Sequence, residues 1–130
     1  MQTFRGSYMS DTRWRELLRL VYGSGLVRRV MIKMVLGDQP SPQGPWPLGR
    51  VTAEQFFHDT WVDDYTSMGP LYYKAIEWIW FPAEWPVPRG GPGVPPGRAS
   101  QDVDAIVALI SPLGQFETEK SDGLRVYGYR

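Results

Sequence analysis

The chain has 130 residues, with 14 Lys and Arg against 14 Asp and Glu, one histidine and no cysteine. This length is expected to form one domain spanning residues 1–130, which can bury a core without disulfide or metal. The missing cysteines exclude disulfide frameworks, thiolate metal sites and cysteine nucleophiles, the lone His58 excludes a multi-histidine metal centre, and the charge balance gives no net field toward nucleic acid or an anionic membrane.

No window reaches the roughly 18 apolar residues of a spanning helix, and residues 1–10 lack the apolar core of a signal peptide. The expectation is a soluble cytoplasmic protein without membrane contact. Met9-Ser10-Asp11 is a second candidate start, so residues 1–9 are read as a mobile leader.

Ser10 or Asp11 caps the first predicted helix, over 11–23. Trp14, Leu17, Leu18 and Val21 share one face of it, and Gly23 and Gly25 end it. Alternation and β-branching predict a strand in Val27–Leu36, followed by a Pro-rich loop over 40–47. Thr52 and Gln55 match a capping box, predicting a short helix over 52–61 with Phe56, Phe57 and Trp61 on its buried side. Leu71–Phe81, dense in aromatic and β-branched residues, reads as a central strand, with a helix over 70–79 as the open alternative.

Residues 82–98 hold six prolines and four glycines and read as a long surface loop. Ser100 caps a helix whose apolar face is Val103, Ile106, Val107 and Ile110, and which Pro112 and Gly114 end. Two short strands, 115–119 and 124–129, flank a hairpin turn at Asp122-Gly123. The predicted class is α+β in the order α-β-α-β-α-β-β, with a mixed or antiparallel sheet flanked by helices.

Few residue patterns here carry chemistry. His58, Asp59, Asp63 and Asp64 could bind a divalent cation or pair as base and orienter in a small hydrolase. That reading needs the 52–61 helix to continue, placing Asp59 and Asp63 on one face. The plainer reading is a solvated acidic helix end. Ser24 between two glycines follows a helix and lacks the nucleophile-elbow pattern, and the glycines of 90–97 are mixed with prolines that supply no N–H to a phosphate.

No nucleic-acid motif accompanies the Arg13, Arg15, Arg19, Arg28, Arg29 and Lys33 group, and Arg13 and Arg15 stand about 200° apart around a helix. Neither metal nor cofactor is expected. On a strand, Trp78 and Trp80 point away from Glu77, Ile79 and Phe81. If helices leave that face open, its rings become partner anchors.

Residues 1–50 carry eight basic and three acidic side chains, and residues 51–130 carry six and eleven. The acidic stretch from Glu54 to Glu84 would steer a basic partner. The candidate partner-binding set is therefore Asp59, Asp63, Asp64, Glu77, Trp78, Trp80, Glu84 and Trp85. A structural subunit that docks through the 82–98 loop is a third reading.

Three segments carry a resemblance: Thr12-Arg13-Trp14-Arg15-Glu16-Leu17-Leu18, Tyr73-Lys74-Ala75-Ile76-Glu77-Trp78-Ile79 and Asp122-Gly123-Leu124-Arg125-Val126-Tyr127-Gly128-Tyr129. Together they cover 22 of 130 residues. The combination resembles a family of small, uncharacterised bacterial proteins that look like the immunity proteins of polymorphic and contact-dependent toxin systems. The resemblance implies a cytoplasmic, non-enzymatic protein that binds and neutralises a cognate toxin domain, and it carries over no catalytic residue.

Overall fold

The computed structural model describes residues 6–36, 41–42, 57–62, 71–87, 93, 97–120 and 122–130. Helix α1, Asp11–Ser24, forms where its apolar spacing predicts. The Ser10 side chain accepts from the Arg13 N–H, and Gly25, at φ 73°, closes the far end in the left-handed conformation. Trp14, Leu17, Leu18 and Val21 on its inner face are buried.

Strands β1 (Met31–Met34), β2 (Ser41–Pro42) and β5 (Ile76–Pro82) join β8 (Thr118–Lys120) and β9 (Gly123–Tyr127) in a five-stranded sheet. Its order is β2-β1-β5-β9-β8, and every pairing is antiparallel. Helix α2, Val103–Ile110, is capped by Asp102, whose side chain accepts from the Ala105 N–H, and runs into a 3₁₀ turn, Ser111–Leu113. The predicted cap, Ser100, lies two residues earlier in a strand.

Ile106 and Ile110 of α2 join the α1 face and Ile32, Ile76, Ile79, Phe81, Leu124 and Val126 of the sheet in one core. Both helices therefore cover the same face of the sheet. The class is α+β, and the sheet is antiparallel rather than mixed.

Four expectations change. Residues 57–62 are not helical. Phe57 bridges Val62, and the His58 N–H donates to the Trp61 carbonyl at 2.8 Å, closing a turn at Asp59-Thr60. Trp61 and Val62 form β3, paired with β4 (Leu71–Tyr72). Trp61 and Val62 are bulky and strand-prone, and they pair with a partner strand there. The cap itself, Thr52–Gln55, lies outside the described residues.

The 82–98 stretch is also not a plain loop. Glu84–Val87 (β6) and Gly97–Ser100 (β7) pair as an antiparallel ribbon, with the intervening residues, other than Gly93, outside the description. Proline is tolerated because both strands of a two-stranded ribbon are edges. Gln101 anchors the ribbon's base: its amide donates to the Pro82 and Arg29 carbonyls at 2.7 and 2.8 Å, and its oxygen accepts from the Arg28 and Arg29 N–H groups.

The described part of the expected leader is held in place. Ser7 bridges Tyr129, and Gly6 and Arg130 exchange backbone hydrogen bonds. Finally, Leu71–Phe81 is broken by a 3₁₀ turn at Tyr73–Ala75 before β5 begins.

One irregularity sets the geometry of the site. Along the β1–β5 pair, Lys33 faces Trp78 but Met34 faces Ile76, so Glu77 is an extra residue on β5. Such a bulge shifts the side-chain alternation by one. Ile76, Ile79 and Phe81 are buried on the helix side, whereas Trp78 and Trp80 are half-buried on the other.

Candidate functional site

The face of the sheet that the described helices leave free begins with Trp78 and Trp80. Register places Tyr127 opposite Trp78, Arg125 opposite Trp80, and Glu119 of β8 opposite Arg125. The Arg125 guanidinium lies 4.2 Å from the Trp78 ring centre and 5.9 Å from that of Trp80. A guanidinium so placed is attracted to the negative faces of both indoles. Arg130 lies 4.5 Å over Tyr127 and pairs with Glu117 and Glu119 at 3.0 and 3.1 Å, while the Tyr127 hydroxyl donates to Glu119 at 3.0 Å. The result is a continuous aromatic and charged surface running from Trp78 to the chain end.

Of the predicted site residues, Trp78 and Trp80 are brought together. Trp85 is not with them: it lies on β6, with Arg28 and Arg29 5.9 and 5.8 Å from its ring centre. Glu84 pairs with Arg98 across the β6–β7 ribbon.

Glu77 corrects the acidic-surface expectation outright. It is 7% exposed, and its carboxylate meets Lys33 at 3.1 Å. The Lys33 ammonium also donates to the Met34 carbonyl at 2.8 Å. Two charges this far from water persist because each is matched by the other. Asp59 is exposed and pairs with Arg15 at 3.3 Å, on the α1 side of the molecule. Asp63 and Asp64 lie outside the described residues. The described acids of the Glu54–Glu84 stretch thus do not form one patch.

Of the candidate hydrolytic group, only His58 and Asp59 lie among the described residues. His58 stacks on Trp61 at 3.9 Å between ring centres, and no three described His, Asp or Glu side chains converge. The His58 carbonyl accepts from the Tyr73 hydroxyl at 2.8 Å. Burial pushes the Tyr73 phenol well above its ordinary pKa, so it stays a neutral donor that pins the 57–62 turn against the core.

Three described basic residues of the N-terminal half are engaged internally. Arg13 donates to the Gln115 carbonyl at 2.6 Å and lies 4.4 Å over Phe116, Arg15 donates to the Phe57 carbonyl, and Arg28 to that of Ser100.

Sequence reasoning missed Arg125, Glu119, Tyr127 and Arg130. Alternation with buried Leu124 and Val126 points Arg125 outward, but only the β5–β9 register sets it beside Trp78 and Trp80. Among the described residues no helix is long and apolar enough to cross a membrane. Comparison with protein-family models, curated proteins and solved structures finds no match.

Proposed function

We propose that this protein acts by binding, without turnover, and that its partner docks on the helix-free sheet face around Trp78, Trp80 and Arg125. The observation that carries this reading is the half-exposed stack of one guanidinium with two indoles. Tryptophan and arginine dominate the energetics of protein interfaces, because a large rigid ring and a planar cation each bury much area at low entropic cost. Glu119 and Asp122 border the stack, Glu119 already paired with Arg130, so Asp122 is the carboxylate there that would meet a basic partner. It takes the place of the Asp59–Glu84 stretch as the steering charge.

Together with the resemblance in the three segments, the surface supports an immunity protein that neutralises a toxin domain in the cytoplasm. The test has two stages. The tagged full chain captures its partner from its native host, and the captured toxin domain is then co-expressed with wild-type or variant chain. Wild type restores growth. Trp78→Ala and Arg125→Ala weaken binding by about 30-fold or more, the level of an interface hot spot. Equal affinity of wild type and both variants, or capture of no toxin domain, overturns the reading.

A further inference from the structure

The two edges of the five-stranded sheet are finished differently. At one, β2 is two residues long and includes Pro42, which has no N–H to offer a further strand. At the other, β8 presents Thr118, Glu119 and Lys120, all exposed and none a proline. The Tyr127 N–H donates to the Glu117 carbonyl at 2.9 Å, and Glu119 faces Arg125 in register. Backbone groups alternate in direction along an antiparallel ladder, so Glu117 and Glu119 spend theirs on β9. Thr118 and Lys120 turn their N–H and C=O groups outward, where no described strand meets them. Such a row is a template for one more strand.

Charge selects what adds to it. On the free face, the side chains that would border an added strand are Glu117 and Glu119. Arg130 alone pairs with both, at 3.0 and 3.1 Å, one positive charge against two negative. On the helix side, Lys120 is matched by Asp104. Asp122, in the turn that follows, has no ion pair among the described residues, and Arg125, one strand further in, rests on the indoles. The edge is therefore acidic.

A second copy of the chain fits it poorly. Aligning β8 antiparallel with itself through the outward groups sets two copies of Glu119 face to face. Moving the register two residues toward Glu117 sets Glu117 against Glu119 instead. Like charges directly opposite destabilise a strand pair, whereas a cation at the same position is favourable.

We propose that the partner adds an extended, lysine- or arginine-bearing segment as a further strand alongside β8. Its main chain bonds to Thr118 and Lys120, and its cationic side chains stand opposite Glu117 and Glu119. The inference rests on the reading that this protein acts by binding, and it names how the partner is held.

The test titrates the ¹⁵N-labelled full chain with a capped octapeptide that alternates lysine with valine, and with its glutamate–valine counterpart. The lysine peptide is expected to shift the Thr118 and Lys120 amide resonances saturably. It should bind about tenfold more tightly than the glutamate peptide, the effect of two cross-strand charge pairs reversed in sign. With lysines opposite the glutamates, the valine amides are the ones that face Thr118 and Lys120. N-methylating the valine amides should therefore cost about tenfold, and N-methylating the lysine amides much less. Thr118→Pro removes an outward donor that the β9 ladder does not use, and should weaken the lysine peptide about fivefold or more. Absence of shifts at Thr118 and Lys120, equal affinity for the two peptides, or tolerance of valine N-methylation overturns the proposal. Those outcomes leave the Trp78 and Arg125 reading standing, because that reading is tested on the captured toxin domain.

Discussion

The two faces of the five-stranded sheet are built from the same strands and have opposite characters. On the helix side, β5 and β9 present Ile76, Ile79, Phe81, Leu124 and Val126, all at most 2% exposed. On the free side, the intervening positions present half-buried Trp78, Trp80 and Arg125 and the buried Tyr127, joined by cation–π contacts and hydrogen bonds. The helix side derives its stability from apolar area removed from water. The free side uses directional contacts that leave edges and charges accessible. One face holds the fold, and the other is available for recognition.

Substitutions on the two faces should separate these roles. The largest effect is expected at Phe81, where truncation to alanine opens a cavity in the core and costs about 3–5 kcal/mol in urea unfolding. Trp78→Ala, a larger truncation on the same strand, should cost only about 1–2 kcal/mol, from partial burial and one cation–π contact. A loss at Trp78 equal to that at Phe81 would mean that the free face is a second core and would remove its claim to recognition.

The Lys33–Glu77 pair, where the bulge lies, sharpens the comparison next. Lys33→Met leaves a carboxylate stranded and should cost about 2–3 kcal/mol, somewhat below a fully buried pair. The double change Lys33→Met with Glu77→Leu should recover most of that loss, because an apolar pair carries no desolvation penalty. A double variant no more stable than the single one would show that the charges, rather than their matching, hold the bulge.

The smallest effect is expected at Tyr73. Its folded-state pKa is raised above the unfolded value near 10, so the neutral phenol's contribution is fully present below about pH 10 and is lost as pH rises further. Tyr73→Phe should cost about 1 kcal/mol at neutral pH through the lost bond to the His58 carbonyl, and should reduce the alkaline fall in stability. An unchanged alkaline profile in Tyr73→Phe would assign that fall to other groups.

Both described α-helices were legible in the chain, because their signals are local. The 3-4-7 spacing of Trp14, Leu17, Leu18 and Val21, and that of Val103, Ile106, Val107 and Ile110, places apolar residues on one side of any helix that forms. The β8–β9 turn was equally legible in Asp122-Gly123, where both residues take positive φ. The 57–62 turn and the β6–β7 ribbon were not, because each depends on pairing with a second segment beyond its own local pattern. Whether Trp61 is helical or extended depends on Tyr72 lying beside it.

The site divides the same way. That Trp78 and Trp80 share a face follows from strand periodicity alone. That Glu77 is buried with Lys33, and that Arg125 rather than a nearby acid is the charge beside the indoles, follows from a bulge and a register. What the sequence determined by itself is the α+β class, both described α-helices and the shared face of the two tryptophans, all set by periodicity within one segment. Tertiary structure alone decided which charges are spent internally and which remain open on the sheet face, because ion pairing depends on which strands lie side by side.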